Sequence, residues 1–216
     1  MLLLAFDTAT PVVTVALHDG RDVVAARAAE DGRRHGELLA AAIGQALADC
    51  RASQADLTAI AVGTGPGPYT GLRVGLVTAR VLAAALGVPL HGVCTLDVIA
   101  RSAAPAAAGR EFLVTTDARR KELYWARYSP AGQRLWGPDV SVPAALPAGY
   151  PVAGAGPELY PGLTADPLWP RDPAAAQLAG IVVERIIQGA PVLPADPLYL
   201  RKPDARVPGK PKRVTA

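Results

Sequence analysis

The sequence predicts an α/β protein of two related lobes, mixed sheets with helices, the second lobe shortened. Three observations carry that reading. Each half opens on strands with antiparallel patterning and goes on to segments of helical period and further strands. A soft Ala/Pro/Gly stretch, AAPAAAG at 103–109, separates the halves. Of the 216 residues 50% are hydrophobic and 19% charged, which excludes a disordered chain and provides for a packed core.

The elements follow in order. LLLAFDTA reads as a buried strand, VVTVALHDG as a second, and RDVVAARAA as a third after the Asp19-Gly20 turn. From Arg34 to Cys50 the apolar positions Leu38, Leu39, Ala42, Ile43, Ala46 and Leu47 recur at helical spacing. Leu57 to Gly63 is a buried strand, followed by the loop GTGPGPYTG and a helix from Thr70 to Leu86. A short strand at Pro89–Val93 and a helix from Thr95 to Ala103 end the first half. In the second, Glu111–Thr116 and Glu122–Tyr128 pair through DARRK. Strands at Gln133–Trp136 and Val152–Ala155 and a helix at Ala174–Gln188 complete it. The expected division is a first lobe at 1–104, a smaller lobe at 105–202 and a basic, flexible tail at 203–216.

Charge and chemistry narrow the function. Residues 201–216 hold six basic residues and one acidic, which leaves the remainder at −2. The body is therefore not a basic nucleic-acid binder, and the tail reads as a solvated end able to touch a phosphate backbone. No apolar run approaches the roughly 20 residues of a membrane span, and the N-terminus reads as a strand, so a cytoplasmic protein without membrane contact is expected. Two cysteines, Cys50 and Cys94, supply neither a disulfide framework nor a zinc site. His18, His35 and His91 have no metal-ligand spacing, and no serine lies at a nucleophile elbow. The loop at Gly63–Gly71 lacks the Gly-Lys-Ser/Thr ending of a P-loop and the spacing of a dinucleotide fingerprint, and Pro66 and Pro68 remove two amide donors. It reads as a stiff turn that positions the following helix. Asp7, at the end of the first strand, admits either a water-bridged metal–phosphate or a local turn.

Both long helices of the first half have unusual faces. The first carries Glu37, Ala41, Gly44 and Ala48 opposite its large residues. The second is apolar nearly all round, with only Arg73 and Arg80 charged between Thr70 and Leu86. Its pattern fits a face covered by a second chain and an internal sandwich equally well.

The blocks FDTAT, RRHGELL, GTGPGPYTGLRVGL, GVCTLD, TTDARRKELYWARY and PLYLR, in order from residue 3 to 201, resemble the TsaB family. That family is the dimerisation subunit of the bacterial machinery for tRNA threonylcarbamoyladenosine. The resemblance implies an actin-like, two-lobe fold of the sugar-kinase type. Asp7 and Thr8 would fall in the first phosphate motif and Asp117 in the second, as vestiges of a nucleotide site. It implies a paralogous partner, TsaD, whose catalytic metal is held by an H-x-x-x-H pair. Thr95 and Ile99 stand at the matching positions here, with Asp97 between them, so neither a metal site nor a catalytic residue is expected. TsaD would transfer the threonylcarbamoyl group to N6 of the adenosine beside the anticodon in tRNAs reading ANN codons. TsaE, an ATPase, would dock on the pair, and tRNA would be engaged indirectly through the complex. No tightly bound cofactor is expected, with ADP or ATP at the subunit junction left open. The expected TsaD contact is Leu72, Gly75, Leu76, Ala79 and Ala83, with Arg73 and Arg80 at the rim and Ala41, Gly44 and Ala48 opposite. Without TsaD the same surface would form a homodimer. Two alternatives remain: a small-molecule kinase or ATPase of the same fold, and a peptidase acting on TsaD, which the lack of a nucleophile disfavours.

Overall fold

The computed structural model describes residues 1–30 and 34–201. The basic tail expected at 203–216 lies outside them.

Strands β1 (Leu3–Asp7), β2 (Val12–His18) and β3 (Val23–Glu30) form the expected antiparallel meander, with Phe6 opposite Val15 and Val15 opposite Arg27. Helix α1 (His35–Asp49) leads to β4 (Ala59–Gly63), which lies parallel to β1, and α2 (Tyr69–Leu86) leads to β5 (Leu90–Val93), parallel to β4. The sheet order is β3-β2-β1-β4-β5. Alternate residues of β1 serve two cores, which explains its unbroken apolar run. Leu4 and Phe6 pack with Leu39, Ile43 and Leu72 under α1 and α2, whereas Leu3 and Ala5 face Leu178 and Val182 of α5 (Ala175–Ile187).

Helix α3 (Thr95–Ala103) links the lobes. The second sheet comprises β6 (Phe112–Arg119), β7 (Glu122–Tyr128), β8 (Arg134–Ser141), β9 (Val152–Gly154) and β10 (Pro167–Leu168), in the order β10-β9-β6-β7-β8. A single turn, α4 (Gly156–Leu159), follows β9. Leu96, Ile99, Ala100 and Ala103 of α3 pack on Phe112, Val114, Ala126 and Tyr128. The opposite face of this sheet holds Leu113, Leu123, Trp125 and Val152, against Leu146 and the partly buried Tyr150, Tyr160 and Leu163.

The structure corrects the sequence reading in four places. Helix α5 packs on the first sheet, so 105–202 is not one lobe. The chain after α5 also stays with the first lobe, where Gly92 N–H donates to the Leu193 carbonyl at 3.0 Å and Leu198 N–H to the Thr64 carbonyl at 2.9 Å. Strand β8 runs to Ser141 because it pairs with all of β7, and β10 and α4 were not foreseen. Finally, Leu72, Gly75, Leu76, Ala79 and Ala83 are buried within this chain, because that stripe of α2 lies on β1 and β4. Gly71 thus admits the Thr8 carbonyl and Gly75 the Thr8 side chain of the same chain. Among the described residues α2 is the one helix long and apolar enough to cross a membrane, and its inner stripe packs on the sheet.

Candidate functional site

The end of β1 meets the loop before α2 and the start of α3, and three sequence blocks interlock there. Asp7 is fully buried. Its Oδ1 accepts the Ala9 N–H at 2.7 Å and its Oδ2 accepts the Thr95 hydroxyl at 2.7 Å. The Thr95 hydroxyl in turn accepts Gly65 N–H at 3.1 Å, and Thr95 N–H donates to the Gly65 carbonyl at 2.8 Å. Burial pushes the Asp7 carboxyl up to about 6, against the pull of those two hydrogen bonds. Residue 63 is glycine because a Cβ there would overlap the Asp7 carboxylate. The Thr8 hydroxyl donates to the Gly71 carbonyl at 2.8 Å, and a Cβ on Gly71 would lie 2.6 Å from the Thr8 carbonyl oxygen. His35 Nε2–H donates to the Thr10 carbonyl at 3.0 Å. The glycines of the loop therefore serve close backbone approach to the 7–10 turn.

Asp117, near the end of β6, turns back on its own hairpin. It accepts Arg119 N–H at 2.7 Å, and the Arg119 guanidinium lies 3.1 Å from its other oxygen. Arg119, Arg120 and Lys121 all have positive φ, at 63°, 54° and 61°. Arg120 and Lys121 fill the two central places of a tight hairpin turn that usually takes Asn-Gly. Arg201, from PLYLR, forms an ion pair with Glu122 beside this turn.

The cleft between the lobes is lined by Thr10, Pro68, Asp117, Arg119, Arg171 and Asp172, and encloses about 150 Å³. Ligand pockets usually offer about 300 Å³ or more. Asp7 is not on its wall, long cations stand where a phosphate loop needs glycine, and two prolines occupy the opposing loop. These residues do not fit a nucleoside triphosphate with its metal. Thr95 is spent on Asp7, and Ile99 is buried in the second-lobe core. Among the described residues no group of three or more His, Cys, Asp or Glu could hold a metal ion. Burial pushes the Cys94 thiol up to about 12, which leaves it a poor nucleophile.

The outer faces of α1 and α2, side by side on the first sheet, are open. On α1, Ala40, Ala41, Gly44 and Ala48 are exposed. On α2, Val77 is 58% and Val81 61% exposed, flanked by Arg73 and Arg80. The Arg73 guanidinium sits 3.9 Å from the centre of the Tyr69 ring, and Tyr69 packs on Tyr199. Arg80 donates to the Ala195 carbonyl at 2.9 Å and lies 3.3 Å from the Asp196 carboxylate. Of the expected contact residues, Ala41, Gly44, Ala48, Arg73 and Arg80 thus share the open face, while the inner stripe of α2 does not. Val77 and Val81 lie on an apolar side of α2 that the sequence pattern shows, but the expected contact set left them out in favour of the glycine side.

Comparison with known proteins bears on the same features. Residues 25–160 match the family model described as TsaD: tRNA N6-adenosine threonylcarbamoyltransferase. An uncharacterized protein of Mycobacterium tuberculosis is 42% identical over 206 residues, spanning 94% of this chain and 93% of that protein. The tRNA threonylcarbamoyladenosine biosynthesis protein TsaB of Escherichia coli is 31% identical, over 97% of this chain and 100% of its own. A crystal structure from Pseudomonas aeruginosa, of an uncharacterized protein with similarity to the peptidase YeaZ, superposes with a TM-score of 0.79. It is 28% identical, and the match covers 93% of this chain and 99% of that one. A second, of YeaZ from the same species, gives 0.76 at 27% identity. With its fold, its ordered motifs and these relatives in agreement, the chain belongs to the TsaB family.

Proposed function

We propose that this chain works in tRNA threonylcarbamoyladenosine biosynthesis as a non-catalytic, cytoplasmic subunit that docks on a TsaD-type partner through the outer faces of α1 and α2. The observation that carries the proposal is the contrast between the two candidate sites. The cleft has little room and Asp7 is buried away from it, whereas two adjacent helices present exposed alanines, a glycine and two valines. Small side chains allow a partner helix to approach closely, and Val77 and Val81 supply apolar area to bury. Arg73 at the edge favours a partner that brings a carboxylate, whereas Arg80 is already held by Ala195 and Asp196. The partner performs the group transfer to adenosine N6 and engages tRNA, TsaE docks on the pair, and any ADP or ATP sits at the subunit junction. Without the partner, the same face pairs with a second copy of the chain.

The test is co-purification of TsaD with the Val77→Asp/Val81→Asp variant, its fold checked by circular dichroism. Both side chains point to solvent, so folding is expected to survive while pairing is lost. Wild-type recovery of TsaD with this variant would remove α2 from the interface. Gly75→Arg cannot serve, because a side chain at Gly75 strikes Thr8 and disturbs the fold itself. ATP turnover by the purified chain that Asp7→Ala abolishes would favour the kinase or ATPase reading instead.

A further inference from the structure

The outer face of the second sheet carries an apolar groove that the docking role does not use. We propose that the basic, proline-bearing segment 202–216 of this same chain docks there, with its Pro208-x-x-Pro211 step seated on the tryptophans. The segment lies outside the described residues; its point of departure, its charge and its prolines assign it to the groove.

The groove consists of two joined pockets. Trp125, Arg127, Trp136 and Pro147 enclose about 190 Å³, and a neighbouring pocket of about 350 Å³, with Pro143 and Tyr160 in its wall, also reaches Pro147. Trp125 is buried, and its Nε1–H donates to the Ser141 hydroxyl at 3.2 Å. Trp136 packs on it with ring centroids 4.4 Å apart and stays 43% exposed. Aromatic-lined grooves of this kind are what a polyproline II segment docks on. Such a segment pairs with no strand edge. Pro138 and the register shifts of β8, which work against addition of another strand, are therefore no obstacle to it.

The charges also suit a basic occupant. Asp139 is exposed and stands opposite Trp125 in the β7–β8 register. One of its oxygens accepts the Val140 N–H at 2.7 Å, and among the described residues it joins no ion pair. Glu111 is half-exposed, 3.9 Å from Arg127 Nε. The Arg127 guanidinium is turned to Glu111 and to the Tyr150 hydroxyl, 3.4 Å from Nη1, so Asp139 is left for an incoming cation. The same carboxylates disfavour a nucleic acid.

Residues 202–216 read KPDARVPGKPKRVTA, with five basic residues, one acidic and three prolines. Pro208 and Pro211 are one polyproline II turn apart and share an edge of that helix, beside Lys210, Lys212 and Arg213. The departure point is close. Arg201 pairs with Glu122 and donates to the Arg119 carbonyl at 3.5 Å. Glu122 begins β7, and Trp125 follows three residues on, roughly 10 Å along the strand. By alternation Glu122 faces the α3 side and Trp125 the outer side, so the segment has to round the end of the sheet. Pro208 lies seven residues past Arg201, roughly 23 Å of extended chain, which covers that path. A tethered segment also acts at an effective concentration on the order of millimolar, so modest contacts suffice to hold it.

The experiment compares the full chain with a truncation after Arg201, both carrying Trp169→Leu so that emission reports Trp125 and Trp136, and both checked for folding by circular dichroism. Acrylamide quenching should rise on truncation, and equally in a full chain carrying Pro208→Ala/Pro211→Ala, which leaves every described residue in place. A synthetic peptide of residues 202–216 should bind the truncation saturably and the full chain about tenfold more weakly, because the tethered copy competes. Trp136→Leu in the truncation should weaken peptide binding about tenfold. Unchanged quenching in the Pro208→Ala/Pro211→Ala chain, equal peptide binding by the full chain and the truncation, or wild-type affinity in Trp136→Leu would each overturn the assignment. Protection from quenching that is lost on dilution of the full chain would place the segment on a second copy, and overturn the intramolecular docking.

Discussion

Asp7 is fully buried, and its charge is a burden on the folded state. The carboxyl titrates near 3.8 when exposed and at about 6 in the fold. Between those values the folded chain retains a proton that the unfolded chain has lost. Stability attributable to Asp7 therefore declines as pH rises through that window, and the full penalty is present above it. A difference of about two pKa units corresponds to roughly 3 kcal/mol. Asp7→Asn removes the charge while keeping the shape. Its amide oxygen can still accept Ala9 N–H, and its amide nitrogen can donate to the Thr95 hydroxyl, which reorients and still accepts Gly65 N–H. Exchanging charged for neutral hydrogen bonds gives back about 1 kcal/mol, so a net gain of about 1–2 kcal/mol is expected above pH 7. Urea unfolding of both proteins from pH 4 to 8 measures this. The variant-minus-wild-type difference should climb by about 2.4 kcal/mol between pH 4 and 7. A flat difference, or a variant destabilised by more than about 2 kcal/mol at pH 7, would refute the argument, since the carboxylate would then be held by a favourable charge partner.

Two further substitutions probe the same architecture. Gly71→Ala places a methyl 2.6 Å from the Thr8 carbonyl oxygen and should cost about 1–3 kcal/mol, read as a lower urea midpoint; an unchanged midpoint would mean that α2 is not pinned to the 7–10 turn. Lys121→Gly relieves a side chain held at φ 61° and should raise stability by about 0.5–1 kcal/mol, seen as a higher Tm, whereas a loss would show that the lysine side chain supports the turn.

Much of the first lobe was legible because its signals are local. The apolar run of 12–18, buried on both faces, and the helical period of 38–47 are each contained within one element. The misread face of α2 shows where such signals stop. A stripe of Gly71, Gly75 and Ala79 records a close approach but not by what, and the approaching group is Thr8, 63 residues before Gly71. The Asp7–Thr95 contact spans 88 residues, so a sequence reading could place both near a strand end or helix start without joining them. The second lobe was less clear because β10 has two residues and no periodicity to detect. Trp125 and Trp136 meet only through the β7–β8 register, which no spacing along the chain reveals.

The closed cleft and the open helix face have one cause. A phosphate bound at the N-terminus of α2 would need room beside the helix's first amides. Here Thr8 holds the Gly71 carbonyl, His35 holds the Thr10 carbonyl, and Thr95 ties Asp7 to Gly65, so the gap is filled by protein hydrogen bonds. The first two of these contacts fix the start of α1 and the start of α2 against a single turn, and the third adds the start of α3. They set the spacing of the two helices from their N-terminal ends, and with it the spacing of Ala41 and Gly44 from Val77 and Val81. A surface whose geometry is set in advance loses less conformational freedom when a partner covers it. Under the proposed docking role, the hydrogen bonds of the 7–10 turn thus contribute to association by holding the outer face in place.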